Sequence, residues 1–133
     1  MRRALLALAV IALPLAGCAT AQTSKSKFKG EAGKVAAVVD DLAAAGRTGN
    51  AKKICTDILA RQLVQELRSA GGDCQAEMKS AIQDASDYDL QVASVKVTGS
   101  TATAQVRQGD HGKTATFSFV KENGDWRASA LGG

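Results

Sequence analysis

The chain has 133 residues, 17 of them basic and 13 acidic, with 45% apolar and only 4% aromatic residues. That length provides one small domain with a real core, and no Gly-rich phosphate loop, Ser-His-Asp order or metal-ligand spacing marks a common catalytic class. The formal charge of +4 is small and scattered, so it does not point to nucleic acid.

The N-terminus is the most informative stretch. Arg2 and Arg3 precede an uncharged apolar run from Ala4 to Ala16. A basic start, a short apolar run and small residues before a cut form the layout of a secretory signal. At about 13 residues the run is shorter than the ~20 needed for a membrane-spanning helix, and Pro14 interrupts it. Leu15-Ala16-Gly17-Cys18 resembles the lipobox of bacterial lipoproteins at all four positions. The resemblance implies cleavage after residue 17, acylation of Cys18 with palmitate-type chains, and attachment to the extracytoplasmic face of the cell membrane. The plainer reading is an ordinary signal peptide that leaves a free cysteine.

Removing 17 residues leaves 116 and discards Arg2 and Arg3, so 15 basic side chains face 13 acidic ones in the mature chain. Ala19 stands where an aspartate would favour retention in an inner membrane, and the arginine pair lacks the flanks of a twin-arginine signal. With Cys18 assigned to lipid, Cys55 and Cys74 remain. An even pair in an exported chain is most simply a disulfide, worth roughly 3 kcal/mol for a loop of about 20 residues. There is no CxxC motif, and a metal site would need two more ligands where His111 is the only histidine. No cofactor is expected.

Residues 18–29 read as an acylated tether, a flexible coil ahead of a domain at 30–133, with Lys25, Lys27 and Lys29 placed to assist attraction to anionic headgroups. From Glu31, Val35, Val38, Val39, Leu42 and Ala45 recur at helical spacing, and Gly46 is the expected cap. Asn50 is a candidate N-cap for a second helix, Ala51 to about Leu59. Leu63, Val64 and Leu67 continue the period to Ser69, as one bent helix or two short ones. After Gly71-Gly72, Asp73 caps a third stretch in which Cys74, Met78, Ile82 and Ala85 share a face.

Beyond Tyr88 the period falls to two. Leu90 and Val92, then Val95 and Val97, alternate with polar residues, and the phase slip at Ala93-Ser94 predicts a bulge. Ala102, Ala104 and Val106 define a second half-buried strand, and Ala115, Phe117 and Phe119 a third. Asn123-Gly124 is a tight-hairpin pair, and Trp126, Ala128 and Ala130 form the last strand. The expected class is α+β, with N-terminal helices packed on a four-stranded antiparallel meander.

Ala43-Ala44-Ala45-Gly46-Arg47-Thr48-Gly49-Asn50-Ala51 at the end of the first helix, and the closing Asn123-Gly124-Asp125-Trp126-Arg127, resemble the NTF2-like domains of the ketosteroid-isomerase cone type. That resemblance implies a curved sheet around helices with a pocket at the open end of the cone. Such folds carry isomerases and dehydratases as well as binding modules, so fold alone does not select the function.

The inward strand positions read as apolar, without an acid or base. His111 and Asp110 sit in a Gly-Asp-His-Gly hairpin tip, where a solvated loop is the plainer role. Tyr88, between Asp87 and Asp89, would be an acid only if the pocket enclosed it, and Asp40 and Asp41 read as a wet helix face. Trp126, Phe117, Phe119 and Tyr88 are the candidate pocket or partner contacts, since aromatic surface often anchors partners. The leading expectation is a membrane-anchored, non-enzymatic module for a small apolar ligand or an envelope protein, with a homodimer through the sheet as a further option. A cone-pocket enzyme using Tyr88 or Asp40 and Asp41, and a purely structural envelope role, are the alternatives.

Overall fold

A computed structural model describes residues 23–85, 88–109 and 112–132. The lipobox and signal, residues 18–22 of the tether, Asp87, Asp110 and His111 lie outside the described residues. Helices precede a single antiparallel sheet of order β1-β2-β3-β4, built from Leu90–Thr98, Thr101–Gln108, Thr114–Glu122 and Asp125–Leu131. The mixed helix-and-meander class is therefore the observed one, and the sheet is open.

α1 (Gly30–Arg47) buries Val35, Ala36, Val39 and Ala43. This stripe repeats every three to four residues and lies on the inner face of the sheet, chiefly against β1 and then β4. The sheet answers with Val92, Ala102, Ala104, Val106, Phe117, Phe119 and Ala128, all buried. Alternate strand positions such as Thr101, Thr103 and Thr116 face water, as a one-sided antiparallel sheet requires.

α1 runs past Gly46, which sits inside the helix and is not its cap. Gly49 takes the left-handed conformation at φ +68. Gly46 is small for another reason: a Cβ there would lie 3.0 Å from the Tyr88 ring. Asn50 does cap the next element, its side chain accepting the Lys53 N–H at 3.1 Å. The second helix is shorter than expected. α2 spans Ala51–Lys53 and relaxes into a π turn at Ile54–Ile58. The chain then extends because Leu59 bridges Ala128 in parallel, and the Ala60 N–H donates to the Ala128 carbonyl at 2.8 Å. That bridge settles the bent-or-broken question: α3 (Arg61–Ser69) is a separate helix.

Asp73 caps α4 (Cys74–Asp84) by accepting the Ala76 N–H at 3.0 Å. A disulfide joins Cys55 in the π turn to Cys74 at the start of α4. The expected slip in β1 is present as a register shift between Val92 and Ser94. Asn123 and Gly124 both take positive φ, 51° and 85°, the pairing a two-residue I′ hairpin needs.

The second half of the tether is part of the fold, against the reading of residues 18–29 as a flexible coil. Ser24–Lys27 form a 3₁₀ turn. The Asp40 carboxylate accepts the N–H groups of Ser24 and Lys25, both at 2.9 Å. The Ser24 hydroxyl, only 3% exposed as a residue, accepts the Val92 N–H at 3.1 Å. β1 is the sheet edge, so this strap covers an otherwise unpaired donor. Asp40 therefore serves the backbone of its own N-terminal segment.

Candidate functional site

An apolar cavity of about 190 Å³ opens where α1 and α4 meet the end of the sheet. Leu42 comes from α1, Met78 and Ile82 from one face of α4, Leu90 from β1 and Phe117 from β3. α4 buries only Cys74 fully, so Met78 and Ile82 stay half-buried over the sheet and leave the gap. Leu131 at the rim is the exposed large hydrophobic residue among the described ones, at 37%.

The polar groups on this lining are Tyr88 and Gln108. The Tyr88 hydroxyl donates to the Ile82 carbonyl, so it ties the helix-to-strand junction to α4, and its ring covers Gly46. Among the described residues no carboxylate, lysine, arginine or histidine borders the cavity. Its chemistry is that of a place to put apolar surface.

The four aromatic candidates separate in the structure. Tyr88 and Phe117 line the apolar cavity together. Phe119, 2% exposed, is a core residue on β3 whose position also borders a groove of about 500 Å³ beside Thr101 and Thr103. Trp126, 5% exposed, borders a cleft of about 450 Å³ between α1, the π turn and the β3–β4 hairpin. There Lys25, Lys34 and Arg127 are balanced by Asp41, Asp57 and Asp125.

Trp126 is held by a group that sequence reading did not single out. Its indole N–H donates to Glu31 at 2.6 Å. Glu31 also pairs with Lys34 at 3.0 Å and Lys121 at 3.2 Å, and the Lys121 ammonium stands 5.6 Å from the centre of the Trp126 ring. The bond from Trp126 first, then those from Lys34 and Lys121, hold the Glu31 carboxyl down at about 2 against its ordinary 4.5. No local signal marks this cluster, because Glu31 and Trp126 are 95 residues apart.

Because the folded pKa is the lower one, the unfolded chain binds the proton first as pH falls. The contribution of Glu31 is thus complete above about pH 4.5 and is lost as pH drops towards 2. Glu31 is 39% exposed, so solvent and salt screen the effect. Thermal midpoints measured from pH 5 to pH 2 are expected to fall less steeply in Glu31→Gln than in the parent. Parallel curves would remove Glu31 as a source of the acid sensitivity.

Among the described residues no group of three or more His, Cys, Asp or Glu side chains is gathered as a metal site, and no helix is long and apolar enough to cross a membrane. No protein-family profile, curated protein or solved structure matches the chain.

Proposed function

We propose that this chain is an exported lipoprotein, held by acylated Cys18, whose domain is a non-enzymatic, NTF2-like module that takes a small apolar ligand. The observation that carries the reading is the cavity between α4 and the sheet, with apolar walls and no charged lining residue among those described. Its volume of about 190 Å³ is below the ~300–1,000 Å³ of drug-sized sites. A cavity of ~150 Å³ suffices for benzene. The ligand class is therefore a single ring or a short alkyl segment, not a sterol or a whole lipid.

The anchor rests on the four-residue match at Leu15–Cys18 and on the position of the ordered strap. Ser24 is fixed to α1 and β1, so the residues between Cys18 and Ser24 span at most about 20 Å. The domain would then ride close to the headgroups, without free reach into the envelope.

Two measurements test the parts separately. Intact mass of the protein from its native membrane is expected to begin at Cys18 with added acyl chains; an unacylated mass overturns the anchor. Toluene titrated into the protein is expected to move the methyl resonances of Met78, Ile82 and Leu42 saturably, and Met78→Trp to abolish the response. Absence of a saturable shift in the folded parent overturns the pocket.

A further inference from the structure

Another cavity, of about 260 Å³, borders the disulfide-bearing turn and has a different character. It is lined by Arg61 and Arg68 from α3, Arg127 from β4, and by Cys55, Thr56, Leu59, Val64 and Gln65. Arg61, Gln65 and Arg68 fall at i, i+4 and i+7, one face of a helix. Arg127 reaches the same space from a strand more than 50 positions later because Leu59 bridges Ala128 next to it. Three arginines therefore line one cavity, and among the described residues no carboxylate borders it.

The nearby acids do not border this cavity. Glu122 accepts the backbone N–H of Arg61 at 3.1 and 3.3 Å, Glu66 accepts from Gln62 at 3.0 Å, and Asp57 borders the Trp126 cleft. Among the described residues none of the three arginines forms an ion pair. Arg127 is partly preset, its Nη1 donating to the Thr56 carbonyl at 2.6 Å and leaving its other N–H donors available. Like charges gathered around one cavity repel one another, and an arriving anion relieves that repulsion.

We propose that this arginine-lined cavity binds a phosphate-bearing anion. Guanidinium forks match the oxygens of phosphate in pairs, and three of them suit a dianion with three free oxygens better than a single carboxylate. The space exceeds what a bare tetrahedral ion needs, so a substituent on the phosphate has room. The site stands on its own residues and does not depend on the apolar cavity or on the anchor. A soluble phosphate ester and a phospholipid headgroup present the same chemistry, and the test separates them.

The full-length Cys18→Ser chain, which cannot be acylated at that position, is titrated with inorganic phosphate while the arginine Nε–H resonances are followed. Saturable shifts at Arg61, Arg68 and Arg127 are expected. Arg61→Gln and Arg68→Gln, both at exposed positions, are each expected to weaken binding about ten-fold, and Lys79→Gln on the exposed face of α4 to leave it unchanged. Flotation of the same chain with phosphatidylglycerol vesicles then identifies the source. Binding to vesicles that is lost in Arg68→Gln supports a headgroup; saturable phosphate binding without vesicle binding supports a soluble ester. Linear, non-saturating shifts, or equal losses in Lys79→Gln and the arginine variants, would show diffuse charge only and overturn the site.

Discussion

Phe119→Ala is expected to cost about 4 kcal/mol, the middle of the usual range for truncating a buried phenylalanine. Phe119 is 2% exposed and is among the largest fully buried side chains of the described residues. Its partners across the sheet are Ala102 on β2 and Ala128 on β4. Two methyl groups flank the ring, so neither neighbour is long enough to collapse into the space the ring would leave. Val35, Val39 and Leu59, also fully buried, belong to the same core. β-branched valines on a helix have few rotamers with which to adjust. A domain of this size has ~5–15 kcal/mol of stability in total, so one truncation removes a large share. Urea unfolding should show a lowered midpoint at unchanged slope. A loss below about 1 kcal/mol would mean that the helical layer does not close over this position as the structure shows.

The same pattern explains what was legible beforehand. The strands were readable because a sheet with one buried face writes its geometry as strict alternation, and Ala102, Ala104, Val106, Phe117 and Phe119 are all buried as that alternation requires. The β1 bulge was readable because the phase of the alternation slips where the register does. Local caps were readable too, since Asn50 and Asp73 act on N–H groups three residues ahead.

What escaped depends on partners remote in sequence. Asp40 looked like a wet helix position, yet it holds Ser24 and Lys25, and a polar segment such as residues 23–29 carries no mark of being docked. Ile54 to Leu59 kept a helical period, but the bridge from Leu59 to β4 ended the helix there. Phe117 and Phe119 were indistinguishable as candidates, both inward on one strand. The lateral position of α4 decides that Phe117, and not Phe119, borders the apolar cavity. The convergence of Arg61, Arg68 and Arg127 was equally invisible, because it requires the β4 contact that places α3.

Removal of the disulfide is expected to cost about 3 kcal/mol, the value for closing a loop of this size, and to act on one part of the molecule. Cys55 and Cys74 are separated by 19 positions, and α3 lies wholly between them. α3 has no fully buried residue, and α4 has only Cys74 itself. Outside the bridge, α3 is held at its start by the Ala60 and Arg61 N–H groups, bonded to Ala128 and Glu122. The helical pair thus has little apolar burial of its own to oppose local opening. In the Cys55→Ala/Cys74→Ala double variant, amide exchange should accelerate in α3 and α4 far more than in β2 and β3. Because Met78 and Ile82 are on α4, the toluene response of the apolar cavity should weaken in parallel. The arginine cavity should lose phosphate affinity with it, since Arg61 and Arg68 ride on α3. Uniform acceleration across helices and sheet would instead show that the bridge acts on the whole domain, and unchanged exchange in α4 would show that packing alone seats it.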